Sequence, residues 1–221
     1  MLPNLSFTEE NYLKHIYHLQ QADGYVTTNG LASSLKARPA SITDMLKKLK
    51  LKKLISYEPY KEFQLTVNGR KMALDIVRRH RLWEFFLVEK LQFGWDEVHE
   101  IAEELEHVGS KKLVEKLDEF LDYPRFDPHG DPIPDSNGKM SLLAQVSLTE
   151  FDFNKTAQVT SVGGQSAELL EMLKHRNIKI GTQLEIKRRF DFDKSLEIKI
   201  KNQSPVTISE QLAKVVFVKQ V

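Results

Sequence analysis

Histidine and glutamate residues recur at helical spacing between Trp95 and Gly109. The segment has no proline or internal glycine, so it is predicted to be a helix that ends near Gly109. Residues three, four, seven or eight positions apart share one face of a helix. This spacing points two imidazoles and two carboxylates the same way, from His99, Glu103, Glu106 and His107. A solvated acidic face would explain this stretch equally well, but on a half-buried face the group favours a divalent cation that neutralises it.

A second pair of ligand-type residues, His80 and Glu84, lies four positions apart in another long helical stretch. Two such stretches favour a metal site over a merely solvated face. Imidazole and carboxylate without thiolate suit Mn, Fe, Co, Ni or Zn, and a carboxylate-rich set favours the harder ions. The sequence contains no Cys, which excludes disulfides, Cys-based zinc sites and thiol catalysis. This composition fits a reducing compartment, and we expect a cytoplasmic protein.

Charge is unevenly distributed along the 221 residues, although the formal net charge is only +1. Residues 36–71 contain ten Lys or Arg against three acidic residues, whereas residues 84–122 contain four Lys against twelve acidic residues. This asymmetry indicates that one part meets a polyanion and another binds cations. No basic start followed by an apolar run and no long apolar stretch is present, so we expect neither a signal peptide nor a membrane partner.

The elements around the basic block predict a winged helix-turn-helix domain over residues 1–67. Three helical patterns come first, at residues 6–21, 28–35 and 39–51. Pro39 suits the first position of the third helix, where its missing N–H costs nothing. A short helix, a tight turn and a second helix are the arrangement that places a recognition helix in the major groove. Strands at 54–57 and 62–66 would add a β-hairpin wing.

Small polar residues at the start of the recognition helix can reach base edges, and lysines can neutralise phosphates. The predicted DNA-contacting residues are Thr27, Arg38, Pro39, Ala40, Ser41, Thr43, Asp44, Lys47, Lys48, Tyr60 and Lys61. A simpler explanation is a helical scaffold whose lysines only maintain solubility. The coincidence of helix pair, wing and charge block favours DNA binding.

Residues 68–122 are predicted to form a helical domain. Asn68 is expected to cap a first helix that runs to about residue 90, and Ser110 a last helix that runs to residue 122. These helices carry more apolar surface than a small wing can cover, so we expect a homodimer. Residues 123–140 contain much of the proline and are predicted to be a linker rather than a packed element.

Beyond the linker, residues 141–221 show alternating patterns. Strands are predicted at 157–162, 182–188, 196–201 and 214–219, with one helix at 166–175. Short strands at this spacing suggest a small β-barrel.

Nearly the whole chain resembles the diphtheria toxin repressor/manganese transport regulator family of metal-dependent repressors. The segments that carry the resemblance are residues 8–13, 38–43, 79–84, 98–107 and 131–134. The resemblance implies an α+β fold with an N-terminal winged helix-turn-helix, a helical metal-binding and dimerisation domain, and a C-terminal SH3-like small β-barrel. It implies a repressor of metal-uptake genes that uses Mn²⁺ or Fe²⁺ as co-repressor, with Co²⁺, Ni²⁺ or Zn²⁺ able to substitute. The implied partners are a second copy of the chain and a pseudo-palindromic operator in double-stranded DNA.

Carried over residue by residue, the family's metal positions fall on Asn11, His80, Glu84, His99, Glu103, Glu106 and His107, with Gln165 and Glu168 from the SH3-like domain. Iron-type members of the family have Cys at the position of Glu103, so Glu103 implies a harder metal, Mn²⁺ before Fe²⁺. Asn11 offers a neutral oxygen where manganese-type members have Asp, and Lys14 replaces a further carboxylate of that type. The implied site is therefore a hybrid. The remaining histidines, His15, His18, His129 and His175, are predicted not to be ligands.

Two other function classes remain open at this point. A metalloenzyme is the first, but His99-Glu100-x-x-Glu103 lacks the second histidine of a zincin. Glu104-x-x-His107 is a single di-iron-type unit where bundles of that class use two. The second is a metal-independent winged-helix regulator with a small-molecule pocket in the barrel. We expect no catalytic residues.

Overall fold

The computed structural model describes residues 3–59 and 61–221, which form two compact units. The N-terminal unit consists of Met1–His80, Glu103–Lys116 and Pro134–Lys139. The C-terminal unit consists of Arg81–Ala102, Leu117–Ile133 and Met140–Val221. Among the described residues, no helix is long and apolar enough to cross a membrane.

Helix α1, Phe7–Asp23, begins with a capping box in which Ser6 and Glu9 bond each other's backbone amides. It ends at Gly24, whose φ of 81° is the left-handed conformation that glycine adopts readily. Helices α2, Thr28–Ser34, and α3, Pro39–Leu51, follow. All three predicted helices are present. Their buried faces supply much of the core of this unit: Leu13, Ile16, Leu31, Ile42, Leu46 and Leu49.

The wing is shorter than predicted. Strands β1, Ile55–Ser56, and β2, Gln64–Leu65, pair antiparallel with two residues each. Helix α4, Val67–Glu89, starts after Thr66, whose hydroxyl accepts the amide of Gly69 at 3.1 Å. The predicted cap at Asn68 is wrong, because Asn68 already lies inside the helix.

Helix α5, Val98–Leu105, is shorter than predicted, so Glu106 and His107 lie in a turn rather than on its face. In this turn a guanidinium nitrogen of Arg79 donates to the carbonyl oxygen of Glu106 at 2.5 Å. Helix α6, Lys111–Phe120, follows Ser110, whose hydroxyl accepts the amide of Leu113 at 3.4 Å. The predicted cap at Ser110 is confirmed.

The proline-rich loop is packed within the C-terminal unit, and the prediction of an unpacked linker is wrong for residues 126–133. Asp127 is 5% exposed and His129 is fully buried. The carbonyl of His129 accepts the amide of Val162 at 3.0 Å, and the carbonyl of Pro132 accepts from Arg81 at 2.6 Å. These hydrogen bonds satisfy backbone carbonyls of a loop that has no regular secondary structure.

Six antiparallel strands form one sheet in the C-terminal unit, in the order β3-β8-β4-β5-β6-β7. Their bounds are Val146–Ser147 for β3, Thr156–Val162 for β4, Gln183–Arg189 for β5, Leu196–Ile200 for β6, Val206–Ile208 for β7 and Val216–Gln220 for β8. Helices α7, Ala167–His175, and α8, Glu210–Val215, connect strands. The core is aliphatic and includes Val159, Leu170, Ile186, Ile198 and Val218. The short elements β3, β7 and α8 were not predicted.

Candidate metal centres and DNA interface

Glu106 is the centre of a buried polar cluster in the N-terminal unit. Its side chain is 0% exposed, and its Oε2 lies 2.6 Å from Nδ1 of His80. Its Oε1 lies 3.9 Å from Nε2 of His107, the next residue in the same turn. Helix α4 and the turn after α5 thus bring two imidazoles to one carboxylate.

The imidazole of His107 is held by the first turns of α1. Its Nδ1 lies 2.6 Å from Oε2 of Glu10, and its ring stacks on Phe7 with centroids 4.7 Å apart. Arg79 holds the other oxygen of Glu10 at 2.9 Å. A carboxylate on one ring nitrogen orients a histidine and leaves the other nitrogen available to a metal.

Two residues of α1 complete this cluster. The ammonium of Lys14 lies 2.5 Å from Oε1 of Glu103 and 2.6 and 2.7 Å from the two oxygens of Glu106. The Oδ1 atom of Asn11 is buried without a hydrogen-bond partner among residues 3–59 and 61–221. Because buried oxygens are rarely left unpaired, Asn11 is suited to a cation.

A second cluster lies within the C-terminal unit. Glu84, Asp127 and His129 each offer one ligand atom, and these atoms lie within 4.8 Å of one another. All three side chains are fully buried. Two carboxylates and an imidazole in such a position are a donor set that fits a divalent cation of the Mn²⁺ or Fe²⁺ type.

Hydrogen bonds fix the orientation of His129. Its Nε2 donates to the carbonyl of Trp95 at 2.8 Å, which leaves Nδ1 3.7 Å from Oε2 of Glu84. Asp127 is held in turn because its Oδ1 accepts the amides of His129 at 2.8 Å and Asp131 at 3.0 Å. A metal-binding histidine commonly donates its other nitrogen to a carbonyl in this way.

The electrostatics of this cluster shift two pKa values. Burial, together with the carboxylates of Glu84 and Asp131, raises the pKa of Asp127 to about 7. Burial would lower the pKa of His129, but the carboxylates of Glu84 and Asp127 outweigh it and raise that pKa. Both groups therefore hold protons more tightly than usual, and a cation would take the place of those protons.

The remaining predicted ligands differ in their placement. Nδ1 of His99 lies 3.4 Å from Oε1 of Glu84, within the C-terminal unit. Nε2 of Gln165 lies 3.3 Å from Nδ1 of His129, beside the buried cluster. Glu168 is exposed in the first turn of α7 and does not belong to the group of Glu84, Asp127 and His129 found among the described residues.

His129 and Asp127 are candidate ligands in the structure that the sequence did not indicate. His129 was excluded because nothing near it in sequence looked like a partner, whereas Glu84, its partner in the structure, lies 45 positions earlier. The available signal was Asp127-x-His129, two ligand types two residues apart in a loop.

The predicted DNA-contacting residues lie at the surface of the N-terminal unit. Exposed among them are Thr27, Arg38, Pro39, Ala40, Ser41, Asp44, Lys47, Lys48 and Lys61. Thr43 is half-buried and its hydroxyl donates to the carbonyl of Pro39 at 3.0 Å. Thr27 caps α2, accepting the amide of Gly30 at 3.0 Å. Tyr60 lies outside the described residues.

Three family models match successive parts of the chain. The N-terminal DNA-binding domain of the iron-dependent repressors matches residues 4–63. The metal binding and dimerisation domain of the same repressors matches residues 66–135, and the FeoA domain matches residues 146–220.

Relatives match in sequence and in structure. The iron-dependent repressor IdeR of Mycobacterium leprae is 32% identical over 127 residues, which are 58% of this chain and 55% of that protein. The HTH-type transcriptional regulator MntR of Oceanobacillus iheyensis is 31% identical over 118 residues, which are 53% of this chain and 80% of that protein. A solved manganese-dependent transcriptional repressor, in complex with manganese, superposes with a TM-score of 0.87 and 30% identity over 96% of this chain and all of that one.

The chain belongs to the diphtheria toxin repressor/manganese transport regulator family. Members of this family are transcriptional regulators, and the three-part fold expected from the sequence is confirmed. The dimerisation domain of the family covers α4 to α6 here, which supports the expected homodimer.

Proposed function

We propose that this protein is a transcriptional repressor whose affinity for double-stranded DNA depends on a divalent cation, with Mn²⁺ favoured and Fe²⁺ second. The observation that carries the proposal is the buried convergence of Glu84, Asp127 and His129 in a chain whose first domain is a winged helix-turn-helix. Buried carboxylates without a compensating charge are costly, so a cation that binds them favours one arrangement of the chain.

Two sets of residues would hold the cation. In the C-terminal unit they are Glu84, Asp127 and His129, with His99 and Gln165 beside them. In the N-terminal unit they are Asn11, His80, Glu103, Glu106 and His107. A bound cation would supply the positive charge that lets these carboxylates remain ionised and close together.

The recognition helix would be α3, which begins at Pro39 and presents Ala40, Ser41 and Asp44 to solvent. Such a helix reads base edges in the major groove, while Lys47 and Lys48 neutralise phosphates. A homodimer would read a pseudo-palindromic operator with half-sites one helical turn or a multiple apart. A repressor of this kind acts where the chromosome lies, in the cytoplasm, and we propose genes of metal uptake as its targets.

The test is selection of binding sequences from a random duplex library by the full-length protein, once with Mn²⁺ and once with a chelator. We expect inverted repeats to be enriched only with Mn²⁺, and Fe²⁺ under anaerobic conditions to give the same sequences. The variant His129→Ala should need more Mn²⁺ for the same enrichment. His175→Ala, which changes an exposed histidine at the end of α7, is the matched control. Equal enrichment with and without chelator would refute metal dependence.

A further inference from the structure

Lys14 occupies an unusual position for a lysine. Its side chain is only 5% exposed, and its ammonium lies within 2.7 Å of three carboxylate oxygens, one from Glu103 and two from Glu106. An ammonium has three donors, so these bonds use its whole hydrogen-bonding capacity. The two carboxylates therefore already have a cation between them, and it is part of the chain.

On the same face of α1, the side chain of Asn11 offers a buried oxygen rather than a buried cation. Asn11 precedes Lys14 by three positions, about one helical turn, and its buried Oδ1 finds no hydrogen-bond donor within the described part of the chain. An oxygen without a donor is what a metal ion would satisfy, whereas an ammonium already bonded to three oxygens has no donor to spare.

We infer that Lys14 is an internal cation that neutralises Glu103 and Glu106 in the metal-free protein and opposes the binding of a divalent metal ion to them. The same oxygens cannot hold the ammonium and a metal ion together, because two cations at one position repel each other strongly. Metal binding in the N-terminal unit then requires the ammonium to leave, which lowers the affinity there. The inference rests on the proposed function in taking Glu103 and Glu106 as metal ligands and Mn²⁺ as the ion.

Lys14 would thus set the metal concentration at which the N-terminal cluster fills. In the C-terminal unit, Nδ1 of His129 lies 3.7 Å from Oε2 of Glu84, a longer contact than any of the three that the ammonium of Lys14 makes. The cluster of Glu84, Asp127 and His129 is therefore expected to fill at lower Mn²⁺ concentration than the cluster of Glu103 and Glu106.

The test is the variant Lys14→Met in the full-length protein, titrated with Mn²⁺ while electron paramagnetic resonance counts the free ion. We expect the weaker of the wild-type sites to bind at least tenfold more tightly. A second readout is thermal unfolding: the metal-free variant should melt below the wild type, and added Mn²⁺ should raise its Tm by more.

Two controls assign the effect. Lys52→Met removes another positive charge of the N-terminal unit, one that pairs with Glu9 at 2.7 Å, and should leave Mn²⁺ affinity unchanged. Adding Glu103→Gln to Lys14→Met should remove the gain in affinity. If Lys14→Met unfolds without metal, Lys14→Gln keeps a polar side chain without the charge and should show the same gain.

Unchanged or weaker Mn²⁺ binding in both Lys14→Met and Lys14→Gln would overturn the inference, because Lys14 would then be only a structural ion-pair partner. A wild type that ignores Mn²⁺ in DNA selection would refute the proposed function instead. It would leave the comparison of Mn²⁺ affinities between wild type and Lys14 variants intact.

Discussion

The two clusters of ligand-type residues differ in what balances their negative charge. In the N-terminal unit, Glu106 and Glu103 share the ammonium of Lys14. In the C-terminal unit, Glu84 faces the imidazoles of His99 and His129, and Asp127 lies 3.5 Å from the guanidinium of Arg81. A lysine ordinarily keeps its charge at neutral pH, whereas a histidine gains or loses a proton there. The lysine and histidine side chains that neutralise similar sets of carboxylates can therefore compete with metal ions in different ways.

The contrast teaches that a count of ligand types does not give the affinity of a site. Both clusters combine carboxylate oxygens with imidazole nitrogens and would look alike in a list of residues. What separates them is the group closest to the carboxylates: the ammonium of Lys14 lies within 2.7 Å of oxygens of Glu103 and Glu106, whereas the imidazole of His129 lies 3.7 Å from Glu84. Protons leave for bulk water at a cost set by pH, but Lys14 must also give up three short hydrogen bonds.

The largest effect is expected from neutralising the buried carboxylate of each cluster in metal-free protein. Glu106→Gln leaves the buried Lys14 with one charge partner, Glu103, so we expect a loss of about 3–5 kcal/mol in the free energy of unfolding. Glu84→Gln should cost less, about 1–2 kcal/mol, because its partner His129 keeps a second carboxylate nearby, Oδ1 of Asp127 at 4.0 Å. Urea unfolding in the presence of a chelator measures both losses. Equal losses would show that the buried carboxylates of the two clusters do not differ in the strength of their charge partners.

An intermediate effect is expected from pH, acting through the C-terminal cluster. The pKa of Asp127 is raised to about 7 by burial and by Glu84, from an ordinary value of 3.8. A carboxyl whose folded pKa is raised stabilises the fold while protonated, and this contribution is lost as pH rises through 7. The raised pKa of His129 acts in the same direction, since its stabilising contribution is also lost as pH rises through the folded value.

Metal-free wild type should therefore lose on the order of 1–3 kcal/mol more stability than Asp127→Asn between pH 5 and pH 8. Asparagine keeps an oxygen that can accept the amides of His129 and Asp131, so the variant isolates the charge. Chemical unfolding at several pH values gives the two profiles, and parallel profiles would show that Asp127 does not titrate in this range.

The smallest effect on stability is expected from an exposed ion pair, where water already screens the charge. Lys47 lies 3.3 Å from Asp44, with side chains 63% and 73% exposed. Lys47→Ala should change the free energy of unfolding by less than about 0.5 kcal/mol. It should nevertheless weaken DNA binding about three- to tenfold. The slope of log affinity against log salt concentration should become shallower by about one, because one phosphate contact is lost.

Lys194→Ala is the matched control for Lys47→Ala. Lys194 pairs with Asp191 at 3.9 Å in the C-terminal unit and is 55% exposed. It should leave both stability and DNA affinity nearly unchanged, as measured by fluorescence anisotropy on the selected DNA. An equal loss of affinity in both variants would mean that Lys47 acts only through net charge.

Local signals explain why much of the fold could be predicted. The capping box at Ser6 and Glu9 and the left-handed Gly24 bound α1, and Pro39 opens α3. Strands β3 and β7, of two and three residues, were missed because a period of two cannot be recognised over so few positions. The end of α5 was placed too late because Glu106, His107 and Val108 carry no helix-ending signal such as Pro or Gly.

The sequence by itself determined the order of the longer elements, the α+β class and the types of residue that could hold a cation, because capping, periodicity and side-chain chemistry are local properties. Only the tertiary structure decided that Lys14 lies between Glu103 and Glu106 and that His129 packs against Glu84. These neighbours are 89, 92 and 45 positions apart. Contacts over such separations depend on how the whole chain packs, and they set which charges each carboxylate meets.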